Sequence, residues 1–209
     1  MRGRLSRWAL LAIVAVAAAA RADGPSAADL TRQARRECEQ GRRAQTRADR
    51  ERHFAHGQQL AEQAVALDDN SAAAHFALFC NFGELLRLDG ESITSVFALH
   101  RLMGELDRTL ALEPDHTDAL AAKGTLLVRL PRLLGGDPEK GEALLREVVT
   151  RDPNAFSSRL TLARTCEARG DREEAVAFAT RALQIARAQG RADKIAEAQA
   201  TLAELRANR

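Results

Sequence analysis

One kind of punctuation recurs along this chain. Gln63-Ala64-Val65-Ala66-Leu67-Asp68-Asp69-Asn70, Arg108-Thr109-Leu110-Ala111-Leu112-Glu113-Pro114-Asp115 and Glu147-Val148-Val149-Thr150-Arg151-Asp152-Pro153-Asn154 share one layout. Each runs from apolar-patterned helix into an acidic-acidic or acidic-Pro step and closes on a polar residue. Proline cannot continue a helix, and Asp or Asn caps the next one. The steps at Asp69, Pro114 and Pro153 lie 45 and 39 residues apart. Internal repetition at such a period is the mark of a solenoid of stacked helix pairs.

The rest of the chain fits that frame. Alanine, the best helix former, makes up about a fifth of it, while Tyr is absent and Trp occurs once. An all-α fold is therefore expected. Ser26 with Asp29 three residues on has the pattern of a capping box. From Ala27 to about Arg52 the chain is dense in Arg, with sparse and mostly small apolar residues (Leu30, Ala34, Cys38, Ala44, Ala48), and reads as a solvated helix face. Phe54 to Leu67 and Ala72 to Leu88 have helical spacing. Asp89-Gly90 punctuates, and a stretch reaches Leu112. Further helices are expected from about Asp118 to Leu130, from Pro138 to Thr150, on either side of Arg169-Gly170-Asp171, and from about Ala192 to Ala207.

These features resemble the tetratricopeptide repeat family, most closely over Phe156 to Ala186. There Ala163 matches the first small site where two helices touch, Gly170-Asp171 the turn, and Ala175 and Ala182 the later small sites. Phe178 and Leu183 supply the large apolar contacts. Residues 117–153 form a second repeat with Gly124 and Gly141 at its small sites. Residues 72–114 and about 30–69 give two weaker ones. The resemblance implies a right-handed solenoid of antiparallel helix pairs, about four repeats, two with insertions. Ile195, Leu202 and Leu205 of the last helix would cover its open end, with Glu197 and Glu204 facing solvent. One insertion, Pro131-Arg132-Leu133-Leu134-Gly135-Gly136-Asp137, is similar to a loop in the T component of repeat-associated TRAP transporters and also to one in the mitochondrial regulators of microtubule dynamics.

The first 22 residues have a different character. Arg2, Arg4 and Arg7 precede an apolar run from Trp8 to Ala20, and Ala20-Arg21-Ala22 offers a small-x-small cleavage site. That order is the pattern of a secretory signal peptide. The run is short of the roughly 20 residues that span a bilayer. Residues 23–209 would then be a periplasmic or secreted helical-repeat domain with no stable membrane insertion. Residues 1–22 carry four arginines and no acid, so the formal charge of +2 becomes −2 without them. Near-balanced charge argues against a nucleic-acid partner.

No catalytic constellation is present, and the chain reads as non-catalytic, with no cofactor and no metal. Cys38, Cys80 and Cys166 are widely spaced and lack metal-ligand or CxxC patterns. They read as small buried apolar fillers; in an exported protein Cys38 and Cys80 are the pair that adjacent helices could present for oxidation. His53 and His56 could face one way beside Glu51, but no third ligand has matching spacing. Gly135-Gly136 lacks the Lys-Ser/Thr of a phosphate loop. What remains is binding. The family register places Phe76, Cys80, Glu84, Asp118, Thr125, Arg129, Ser157, Arg164 and Glu167 on the inner surface, a mixed-charge face suited to a protein or peptide segment. The expected function is a protein-interaction adaptor of the cell envelope. The alternative is an accessory small-molecule-binding component of a solute transporter, with a cavity beneath Phe76–Phe82 and Leu130–Leu134. A deep apolar pocket there would favour the alternative, and an open groove would count against it.

Overall fold

The structure, a computed structural model, describes residues 24–88 and 96–207. The candidate signal segment and the Asp89-Gly90 break lie outside these residues. The described residues form nine α-helices, one short 3-10 turn and no strand. Helices α1 (Ala27–Arg43) and α2 (Arg47–Leu67) make the first pair, and α3 (Ala72–Leu88) and α4 (Val96–Leu112) the second. The third pair is α5 (Thr117–Arg129) and α6 (Pro138–Arg151), joined through the 3-10 turn Arg132–Leu134. Then come α7 (Phe156–Arg169), α8 (Arg172–Ala188) and the closing helix α9 (Ala192–Ala207). Each helix packs on the next, and the first helices of neighbouring pairs also meet, α1 on α3 and α5 on α7.

Local chemistry sets the helix ends. Ser26 and Asp29 form the expected capping box, and the Asp137 and Asp171 carboxylates accept from the amides of Lys140 and Glu174. Pro138 occupies the first turn of α6, where its missing amide costs nothing. Gly135 has φ +87°, a left-handed conformation that a side chain would oppose. It lets the inter-helix loop turn back so that the Asp137 amide donates to the Leu127 carbonyl at 2.9 Å.

Two boundaries differ from the sequence reading. The Arg-dense run is not one helix: it breaks at residues 44–46, where the Thr46 hydroxyl accepts from the Asp49 amide and starts α2. In the repeated turns the cap falls one residue beyond the closing polar residue. Ser71 and His116 accept from the amides of Ala74 and Ala119, whereas Ala155 has no side-chain cap. The acidic residues instead close Asx turns: Asp68 accepts from the Asn70 amide at 3.1 Å, and Asp152 from the Asn154 amide at 2.8 Å.

Small residues set the helix spacing. A Cβ at Gly124 would lie 2.9 Å from the Leu145 side chain and 3.0 Å from the Gly141 carbonyl, so α5 and α6 touch at backbone distance. Ala163, Ala175 and Ala182 are fully buried, and Phe178 and Leu183 pack around them. Leu202 and Leu205 of α9 are buried against α7 and α8, Ile195 is partly buried, and Glu197 and Glu204 are exposed. That helix covers the end of the stack.

The first two pairs are held differently. Cys38 on α1 and Cys80 on α3 form a disulfide, with Cα atoms 6.4 Å apart. The reading of all three cysteines as fillers holds only for Cys166, which is free and buried. Beside the disulfide, the buried Asn81 amide donates to the Ala34 and Ala77 carbonyls at 3.0 and 2.9 Å. His75, also buried, lies 2.7 Å from Glu105 of α4 and 3.1 Å from the Asp69 carbonyl. Both His75 ring nitrogens meet oxygen partners, whereas Asn81 pairs only through its amide nitrogen and its buried Oδ1 has no hydrogen-bond partner among the described residues.

Candidate functional site

Helices α5 and α7 are first members of their pairs, which line the inner curve of a stacked solenoid. Between their C-terminal halves, with the first turn of α6 as a side wall, lies a groove of about 450 Å³. Val128, Pro138 and Ala168 give it apolar surface, and Thr161 and Thr165 supply hydroxyls. Its charged members are Arg129, Arg164, Arg169, Glu139 and Glu142. Residues 161, 164, 165 and 168 recur on one face of α7 and turn it towards the groove.

The residues expected on the inner face divide into two groups. Arg129 and Arg164 come together in the groove. Asp118 and Ser157 are exposed near the starts of α5 and α7, the Thr125 hydroxyl donates to the Ala121 carbonyl, and Glu167 lies 3.9 Å from Arg172. In the second pair the expected residues are taken up by structural partners. Phe76 stacks on Phe79 at 5.7 Å and meets the His116 ring at a tilt of 44°, with 4.6 Å between ring centres. Cys80 is in the disulfide, and Glu84 is buried and paired with Arg42 at 2.7 Å and Arg87 at 3.3 Å. Sequence register did not single out Val128, Thr161, Thr165 or Arg169 beside their neighbours on α5 and α7, and Glu142 joins the groove only because the Gly135 loop returns α6 as its side wall.

An ion-pair network underlies the groove. Arg146 contacts Glu142 at 2.8 Å and Glu174 at 2.6 Å, and Arg169 contacts the same two acids at 2.6 and 3.3 Å. Hydrogen bonding from Arg146 leads in holding the Glu174 carboxyl down at about 2. Burial raises the Glu142 carboxyl, but hydrogen bonds from Arg169 and Arg146 leave it below its ordinary range. The Cys166 thiol, pushed up to about 11 by burial and then by neighbouring Glu174, stays protonated and donates to Glu174 at 3.3 Å. A protonated, buried thiol is a poor nucleophile. Glu142, Cys166 and Glu174 present ligand-type atoms within 4.8 Å of one another, yet two guanidinium groups already occupy the carboxylate lone pairs. A metal would have to displace both arginines.

His53 and His56 face Glu37 of α1, at 2.6 and 3.2 Å, and not Glu51. One carboxylate bridging two imidazoles ties α2 to α1. The inserted loop leaves Leu133 94% exposed, so it does not roof a cavity at its own tip. No helix among the described residues is long and apolar enough to cross a membrane.

Solved structures share this architecture. TTC0263, a thermophilic TPR protein of Thermus thermophilus, superposes with a TM-score of 0.62 at 18% identity, over 85% of this chain and 81% of that one. The chain has the tetratricopeptide-repeat fold. A crystal structure of MamA is similar at a TM-score of 0.54 and 18% identity, over 81% of this chain and 83% of that one. MamA from Desulfovibrio magneticus RS-1, residue 41 to its end, gives 0.51 at 14% identity over 85% and 93%. No protein-family model and no curated protein sequence matches the chain.

Proposed function

We propose that this chain is an exported, non-catalytic adaptor of the cell envelope that holds a segment of a partner protein on its inner surface. The observation that carries this reading is the open groove of about 450 Å³ on two first-of-pair helices. Sites for small molecules bury most of the ligand in an enclosed cavity, whereas this groove is open to solvent and carries five charged side chains beside its apolar surface. That favours a polypeptide over the transporter-accessory alternative. Export is supported by two independent features: the charged, apolar, small-residue order of residues 1–22, and the Cys38–Cys80 bond, a linkage that persists in oxidising compartments.

Fractionation of cells expressing the full chain, followed by cross-linking in the envelope fraction, tests the reading. The expected product begins at Asp23, is oxidised at Cys38–Cys80, lies in the periplasm or medium and cross-links to a discrete protein. A chain retaining Met1 in the cytoplasm would overturn export. A periplasmic chain that cross-links to nothing would overturn the adaptor role.

A further inference from the structure

We infer that the α5–α7 groove selects an acidic segment of a partner protein, recognised through its Asp or Glu side chains. This deepens the adaptor reading and rests on it.

The distribution of ion pairs around the groove carries the inference. Both lining carboxylates already have cations of their own. Glu139 is held by Arg132 at 2.8 Å, and Glu142 by Arg146 at 2.8 Å and Arg169 at 2.6 Å. Arg169 is committed to those acids and to Asp171 at 3.5 Å. Two lining cations are not matched in this way. No carboxylate among the described residues pairs with Arg129. Arg164 donates to the Thr201 hydroxyl of α9 at 3.2 Å and to no carboxylate among them. The lining therefore carries three arginines against two glutamates, and two of those guanidiniums have no carboxylate partner among the described residues and stand beside an apolar surface of Val128, Pro138 and Ala168.

Their positions separate ligand binding from local helix stabilisation. Arg129 is in the last turn of α5, where the helix end also favours a cation. Arg164 sits mid-helix on α7 and gains no such benefit. Its bond to Thr201 engages one guanidinium nitrogen and leaves the others for a ligand in the groove. A guanidinium is a planar donor suited to carboxylate, and anchoring it beforehand lowers the ordering cost on binding. Both cations line the same groove, so a segment carrying acidic side chains can engage them together.

The test is a panel of displayed random 12-residue peptides selected on the purified chain with its disulfide intact, each selected peptide then resynthesised and measured by fluorescence anisotropy. Expected are peptides enriched in Asp and Glu, whose affinity falls about tenfold or more in R129Q/R164Q, is largely kept in R129K/R164K, and weakens with added salt. Amidating the peptide C-terminus should change little; loss of binding on amidation would overturn the side-chain assignment. A168W, which fills the groove from an exposed position, should also abolish binding, with circular dichroism confirming the helical fold of every variant. Peptides lost with A168W but without acidic excess, and indifferent to R129Q/R164Q, would overturn the acidic preference while the groove stands. Selection of no peptide sensitive to A168W would overturn the groove itself.

Discussion

The first two helix pairs and the last two solve the same packing problem by different means. In α5–α9 the helices approach because the contact residues are small: Gly124 meets Gly141, and Ala163, Ala175, Ala182 and Ala198 are fully buried. In α1–α4 the repeat pattern has drifted. There the neighbours are held by the Cys38–Cys80 bond, the buried Asn81 amide, the His75 bridge and the Glu84 ion pairs. Close backbone contact needs no specific partner, but each cross-link does. Cross-linking takes up Cys80 and Glu84 in the second pair, while in the third and fourth pairs Arg129 and Arg164 line the open groove, where the proposed ligand would meet them.

Four changes would break or sharpen that contrast, because in a repeat stack each pair depends mainly on its neighbours. The largest effect is expected from Phe54→Ala. Phe54 is fully buried against Gly41, and its loss should cost about 3–5 kcal/mol in urea unfolding of the oxidised chain. Replacing Cys38 and Cys80 together by Ala should cost about 2–4 kcal/mol, since the bond closes a loop across a sequence separation of 42. Amide exchange should then quicken in α1–α3 and stay unchanged in α7–α9; equal quickening everywhere would erase the contrast. Gly141→Ala tests the other half. Its Cβ would lie 2.7 Å from the Gly124 carbonyl, so a loss of about 1–3 kcal/mol is expected, with exchange raised in α5 and α6 only.

The smallest change is Glu174→Gln, read against pH. The folded Glu174 carboxyl is depressed to about 2 from an ordinary 4.5. Such a group contributes stability above its unfolded value and loses it as pH falls from 4.5 towards 2. The surrounding ion pairs are partly solvated, which limits the effect to roughly 1 kcal/mol. Thermal melts from about pH 5 to about pH 2 should fall less steeply in the variant; identical slopes would remove Glu174 from the network.

The pair-by-pair fold was legible because its signals are local. Proline steps, the Gly170-Asp171 turn and small residues at family spacing each act within a few residues, and α9 covers the stack end with Ile195, Leu202 and Leu205 as their spacing predicts. The α1–α2 break was missed although Thr46-x-x-Asp49 repeats the pattern of Ser26-x-x-Asp29, because the density of Arg masked it. Of the ten residues that line the groove, register placed Arg129 and Arg164 on the inner surface. The remainder was not legible, because neutralisation of Glu142 by residues four and 27 positions away depends on tertiary contacts. The same holds for the burial of Glu84 and its pairing with Arg42 across 42 positions.

The most direct test of the binding surface is site-specific photo-cross-linking in cells. A photoreactive residue replaces Thr165, which lines the groove, or Thr180, which is exposed on α8. A discrete protein adduct from position 165, absent from position 180 and lost in R129Q/R164Q, is the predicted result. Adducts of equal yield from both positions, or from 180 alone, would contradict the groove as the working face of this protein.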